Sequence, residues 1–320
     1  MGLQVSHCLA ALTLGLTLAV AGCGGGSSSS SGGSGSSGGS GGTGGSPSVP
    51  LMAHVFIVVE ENHGYSEVIG NPNVPYLNGL ATKFALASQS YADAHPSLPN
   101  YFMLTTGATI ATNDSYAGTV TQNNVVQALQ AAGKTWRCYA EALPSIGYTG
   151  GDTGSYAQHH NPFAYFSPVV TDPTIAANIV PFPQLATDVA ANNLPQYAFI
   201  VPNINNDAHD CPPGMPSCTD TQKLANMDAW LKTYVDGLIN SAAFADSLLI
   251  ITFDEGDASD LIHGGGQIAT ILVGSRVKPG YQSTTFYQHE SVLRLMMEVL
   301  GVSDLPGAAA SAPEMTEFFQ

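Results

Sequence analysis

The sequence predicts an α/β fold of three layers, with helices on both faces of a largely parallel central sheet. Two patterns carry that expectation. Short apolar runs alternate with helical stretches, and most of the runs are continuous rather than half polar, as strands buried on both faces must be. The runs fall at His54–Glu60 (HVFIVVE), 135–141 (TWRCYAE), 196–201 (QYAFIV), Ser247–Phe253 (SLLIITF) and 267–274 (QIATILVG), each of strand length and most rich in β-branched or aromatic residues. Between them, residues 75–87, 124–132, 182–191, 224–241 and 289–301 read as helices, the last closing on a glycine as a helix C-terminus does. Trp230 and Tyr234 have helical spacing and read as core.

Charge narrows the function. Eight Lys and Arg against 24 Asp and Glu leave a net charge of −16, a field unsuited to gripping nucleic acid or an anionic bilayer. The 35 Gly and 20 Pro show that some of the low charge content belongs to linker. An apolar stretch around residues 12–19, too short to span a bilayer, ends in Val20-Ala21-Gly22-Cys23, which resembles the lipobox of a bacterial lipoprotein signal. Residues 1–22 are therefore expected to be a signal peptide and Cys23 the lipidated residue, giving an exported, membrane-anchored protein on the periplasmic side or cell surface. The Gly/Ser-rich residues after it, to 49, cannot bury apolar area and read as a tether spanning about 25 to 30 Å. G-x-S-x-G matches there, such as Gly35-Ser36-Ser37-Gly38-Gly39, are compositional, with no strand before or helix after them. Residues 50–320, uninterrupted by a second such linker, read as one catalytic domain.

In an open parallel sheet, ligands sit beyond the carboxyl ends of the strands. Three runs deliver polar groups to that edge: Glu61-Asn62-His63 after the first, Asn203 and Asn206-Asp207-Ala208-His209-Asp210 after the third, and Asp254-Glu255 after the fourth. A lone acidic residue there reads as a cap or solvated turn, but carboxylates crowded at one edge repel and call for a divalent cation. Glu61, Asn62, Asp254 and Glu255 offer hard oxygen donors, and His209 and His263 offer nitrogen to a second ion. Zn, Ca, Mg or Mn, one or two per chain, all remain open.

The segment His95-Pro96-Ser97-Leu98-Pro99-Asn100-Tyr101 reads as a helix start, with Ser97 at or near the cap and Pro99 in the first turn. Ser97 is then either a capping serine or a nucleophile for phosphoryl transfer, activated by a neighbouring metal while helix amides receive anionic oxygens. These segments hold no Lys or Arg, so the metal, the amides, Asn100 and histidines would have to neutralise a phosphate.

Together the segments VVEENHGY, PYLNGLA, HPSLPNYFMLTTG, WRCYAEALP, HHNPFAYF, FIVPNINNDAHD, MDAWL, IITFDEG, HGGG and HESVLRLMMEVLG resemble, in order, a family of phosphoesterases. It includes acid phosphatases of bacteria and fungi and bacterial phospholipases C, within the alkaline-phosphatase-like superfamily. The resemblance implies an alkaline-phosphatase-like fold, a divalent metal on Glu61, Asn62, Asp254 and Glu255, and Ser97 as nucleophile forming a phosphoseryl intermediate. It also implies that His209, with His160 or His263, protonates the leaving alkoxide or holds phosphate oxygens, with Asp207 at the same edge. Ile262-His263-Gly264-Gly265-Gly266 stands where phospholipases C of the family carry Asp-His-Val and prolines, which favours the acid-phosphatase branch and a small phosphorylated monoester. Cleavage of a lipid phosphodiester is the runner-up, and a binding protein without turnover the third reading. The glycines allow the backbone a close approach to the metal edge or form a flexible turn. Cys211 and Cys218 flank a short loop after His209 and are expected to form a disulfide, with Cys138 a buried thiol.

Overall fold

The first strand, β1 (His54–Glu60), lies at the centre of the sheet, and both its faces are buried. The computed structural model describes residues 48–320; the expected signal peptide, Cys23 and the tether up to residue 47 lie outside the described residues. Seven further strands complete one sheet: β2 (Ala85–Tyr91), β3 (Trp136–Ala140), β4 (Ile179–Pro181), β5 (Tyr197–Val201), β6 (Ser247–Phe253), β7 (Gln267–Val273) and β8 (Tyr281–Ser283). Their order is β4-β3-β5-β1-β6-β7-β2-β8. Only β7 runs against its neighbours, pairing antiparallel with β6 and β2, so the sheet is largely parallel as expected.

The helices are α1 (Tyr65–Val68), α2 (Pro75–Lys83), α3 (Ser97–Thr106), α4 (Val125–Ala131), α5 (Ser167–Thr171), α6 (Pro173–Ala176), α7 (Gln184–Ala190), α8 (Asp220–Ile239) and α9 (His289–Val299). Strand alternation sorts them into two layers. Val55, Ile57 and Val59 face a core filled by Leu98 and Phe102 of α3, Leu129 of α4 and Leu293 and Met296 of α9. Phe56 and Val58 face a second core built on Leu77 and Leu80 of α2, Leu185 of α7 and Met227, Trp230 and Leu231 of α8. Among the described residues no helix is long and apolar enough to cross a membrane.

Three local expectations are corrected, and two short strands are added. The helix expected over 75–87 ends at Lys83, and Ala85 onward forms β2 (ALASQSY), whose helix-favouring alanines are overridden by pairing between β7 and β8. The three-residue strands β4 and β8 are too short to leave a period in the sequence. Helix α8 starts at Asp220, four residues before its apolar face, because Thr219 and Gln222 form a capping box. Tyr234 on that helix is 45% exposed and is not core, whereas Trp230 is buried.

Candidate active site

The carboxyl ends of β1, β5 and β6 and the start of α3 meet at one edge. Glu60 ends β1 with its side chain in the α8 layer, and Glu61, the next residue, turns to the α3 layer, where it is fully buried. Asn62 follows in the left-handed region at φ 54°, and its amide donates to Asp254 Oδ1 at 3.0 Å, which binds the end of β1 to the end of β6. Glu61 N–H donates to Asp207 O at 2.8 Å, tying in the loop after β5.

Ser97 is the first residue of α3, with Pro96 at the cap, so the capping-serine alternative is set aside. Its hydroxyl is buried and donates to Glu61 Oε2 at 3.1 Å. One turn on, the Tyr101 hydroxyl donates to Glu61 Oε1 in a short hydrogen bond. The Tyr101 ring stacks on His160 with centroids 5.4 Å apart. Tyr101 escaped the sequence reading although its place four residues after Ser97 puts it on the same helix face.

His160 arrives from a short 3-10 turn in the long segment after β3 and is also buried. Its Nδ1 lies 3.1 Å from Asp207 Oδ2, and its Nε2 lies 3.4 Å from Glu61 Oε1. His209 stands at the mouth, more than a third exposed, with Nδ1 2.9 Å from Asp210 Oδ1. Glu61, His160 and His209 each offer a ligand atom within 4.8 Å of the others.

On the far side, Glu255 Oε2 lies 2.9 Å from His95 Nδ1, while His95 Nε2 donates to Asp260 O at 2.9 Å. That second bond assigns the ring proton to Nε2 and makes Nδ1 an acceptor unless the ring is charged. His95 is thus a further site residue that the sequence reading passed over. Fully buried His289 bonds the Asp254 carbonyl through Nε2 at 2.6 Å. Gln288 holds the cap position of α9, and His289 is the first residue of that helix.

The charges explain why this edge needs a counter-ion. Burial, then the charges of Asp254 and Asp207, raise the Glu61 carboxyl well above its usual range. Burial likewise pushes Asp254 up to about 6 and Asp207 up to about 8. Burial together with Asp254 pushes Glu255 up to about 9. His160 is lowered well below its ordinary value and His289 down to about 4, both chiefly by burial, so neither carries a charge to offset them. Among the described residues no Lys or Arg pairs with any of the four carboxylates. Asn62 Oδ1 and Asp254 Oδ2 are buried without a hydrogen-bond partner, as donors kept for a cation would be. The oxygen-rich donor set fits a hard divalent ion, and the Glu61–His160–His209 set fits an ion that accepts nitrogen.

Three residues expected to contact substrate have other partners in the structure. Asn100 is fully buried and committed to its own loop, accepting from the amides of Asp93 and Ala94 at 3.0 and 3.1 Å and donating to Ala94 O at 2.8 Å. Asp207 is buried behind His160 and accepts from the His209 amide at 2.8 Å, so it braces histidines rather than facing a ligand. His263 lies on an exposed loop, its ring centroid 4.5 Å from that of Tyr91 and 4.6 Å from that of Phe286. Of the α3 amides expected to receive anionic oxygens, that of Leu98 donates to Asp114 Oδ1 at 2.9 Å.

The glycine run has a steric purpose. A Cβ on Gly264 would stand 2.1 Å from Asp93 O, and one on Gly265 2.5 Å from Ala94 O, so the loop lies against the segment leading to Ser97. Cys211 and Cys218 are disulfide-bonded in the loop after His209, and Cys138 is a buried free thiol, both as expected.

This is the fold of the alkaline phosphatase superfamily. A superfamily protein from Vibrio parahaemolyticus superposes with a TM-score of 0.55 over 79% of this chain and 67% of its own, at 14% identity. A lipoteichoic acid synthase from Listeria monocytogenes does so at 0.56 over 82% and 74%, also at 14% identity. The chain belongs to the Phosphoesterase family, whose model matches residues 71–303. It is 34% identical to a phosphatidylinositol-3-phosphatase of Mycobacterium tuberculosis over 85% of this chain and 84% of that protein. It is 32% identical to a probable acid phosphatase of Kluyveromyces lactis, over 74% of this chain and 56% of that longer protein. An acid phosphatase of Aspergillus fumigatus is 29% identical over 78% and 55%. The chain is accordingly a hydrolase of phosphoric esters.

Proposed function

We propose that the chain hydrolyses phosphate monoesters through a phosphoseryl intermediate on Ser97, with a divalent cation at the carboxylate edge. The observation that carries this reading is the buried Ser97 hydroxyl at the first turn of α3, 3.1 Å from Glu61 Oε2. Glu61, Asn62, Asp254 and Glu255 would hold the cation, and His209 stays free of metal in this scheme, as the acid that serves the leaving group. A cation there lowers the pKa of the serine hydroxyl and offsets phosphate charge.

The chain's own groups account for the proton transfers. Glu61 takes the proton as Ser97 Oγ bonds to phosphorus, and Tyr101 holds Glu61 in register for that transfer. As the bond to the leaving alkoxide breaks, His209 donates the proton it needs; Asp210 fixes the ring that does so. Water then enters from the opposite side, giving a proton to His209 as it bonds to phosphorus, while Glu61 returns its proton to Ser97 Oγ as that bond breaks and phosphate leaves; two in-line displacements give net retention at phosphorus. The name of the mycobacterial relative supports a phosphomonoester, and a small phosphorylated molecule is the proposed substrate. The residues outside the structure support export as a lipoprotein anchored at Cys23.

The test compares p-nitrophenyl phosphate with p-nitrophenylphosphorylcholine, using the wild type, Ser97→Ala and Asp254→Asn with metals varied. Monoester turnover reduced by about 10⁴-fold or more in Ser97→Ala supports the proposal. Turnover of the diester alone would move the assignment to phospholipase C-like chemistry. Inactivity on both with metal bound would leave a binding protein.

A further inference from the structure

Helix α9 contributes no residue to the proposed chemistry, yet its first turn touches three parts of the edge. The Gln288 amide group donates to Ala92 O at 3.3 Å, before the Ser97 loop, and to His263 O at 3.1 Å, on the glycine loop. The His289 ring is fully buried, and its Nε2–H donates to the carbonyl oxygen of Asp254 at 2.6 Å. That carbonyl belongs to the peptide joining Asp254 to Glu255. Two carboxylates on adjacent residues reach one cation only if the peptide between them holds a particular orientation. Beyond β6 no ladder imposes one, since the sheet pairing ends at Phe253.

We propose that His289 is a positioning residue: its hydrogen bond fixes the 254–255 peptide so that both carboxylates turn toward the cation. Its Nδ1 is buried without a partner, so the ring is spent on this single bond. The inference rests on the cation reading above and adds to it a residue 35 positions along the chain from Asp254.

The test titrates the full-length protein with Mn²⁺ or Ca²⁺ by calorimetry and compares His289→Gln, which keeps an N–H donor, with His289→Met, of similar size and without one. The expected result is about 10- to 100-fold weaker cation binding in the Met variant, as for other groups that orient metal ligands, and near wild-type binding in the Gln variant. A purely structural role predicts equal loss of metal-free thermal stability in both, with cation affinity unchanged, and that result would overturn the proposal. If the Met variant does not fold, His289→Phe replaces it in the comparison. If the wild type itself binds neither ion while folded, both the cation reading and this inference fall; if only the variants bind alike, this inference alone falls.

Discussion

Asp207 Oδ2 lies 3.1 Å from His160 Nδ1, both groups buried, and with Asp207 ionised this contact places the proton on Nδ1 and turns the Nε2 lone pair toward Glu61. An imidazole in the other tautomer would point an N–H where the pair now points a lone pair. The buried carboxylate therefore selects the chemical face that the histidine presents.

Asp207→Asn tests that selection. The amide keeps the shape and can present its NH₂ to Nδ1, turning the tautomer over. We expect kcat to fall by about 100-fold or more with KM little changed and the fold intact. Initial rates and a far-UV spectrum check it; unchanged kcat would show that the tautomer is not controlled from Asp207.

Stability of the cation-free protein should fall as pH rises from about 6.5 to 9. Burial raises Asp207 to about 8 and Glu255 to about 9, so over this window the folded state binds more protons than the unfolded one. The slope of unfolding free energy against pH is then negative. Below 6.5 the lowered His160 and His289 act in the opposite sense, because they charge only on unfolding. A saturating cation replaces the protons and flattens the curve, and at 100 times its Kd adds about 2.7 kcal/mol. Thermal melts with chelator and with metal across this range measure both; a chelated protein that grows more stable toward pH 9 contradicts the assignment.

Gly265→Ala should displace the segment before Ser97. Its Cβ would meet Ala94 O at 2.5 Å and Ala92 Cβ at 2.7 Å, and neither a backbone atom nor a Cβ can swing away. A loss of about 1 to 3 kcal/mol is expected from forced overpacking, together with reduced turnover. Denaturant unfolding and initial rates test the two effects, and a neutral result would mean the loops separate easily.

Reduction of Cys211–Cys218 should cost about 2 kcal/mol, in keeping with the short loop it closes. Because His209 lies just before the bridge while His160 and Asp207 are held from the core, turnover should fall less than in Asp207→Asn. Chemical denaturation with and without reductant, and the Cys211→Ser/Cys218→Ser double variant, provide the check.

The sequence revealed what continuous apolar runs can reveal: the central strands β1, β5 and β6, and hence the edge at which Glu61, Asp207 and Asp254 emerge. Elements whose formation depends on neighbours stayed hidden. Strand β2 carries the composition of a helix and is made a strand by β7 and β8. In the site, side-chain direction decided the outcome. Asn100, Asp207 and His263 have suitable chemistry and an address at or near the edge, but the first two are turned inward to brace loops and the third packs against Tyr91 and Phe286. His95 and Tyr101 lie inside quoted motifs, and only the packing of α3 against the ends of β1 and β6 gives them their partners.

The central place of β1 also sets the tempo at which the protein is made. Its two sheet neighbours, β5 and β6, lie more than a hundred residues later in the chain, so the HVFIVV segment must wait, unpaired and sticky, while most of the chain is synthesised. Such long-range pairing slows folding and leaves an aggregation-prone strand open to other chains. A helper that shields this one segment during biogenesis would therefore raise the yield of active protein more than one that acts on the periphery of the sheet.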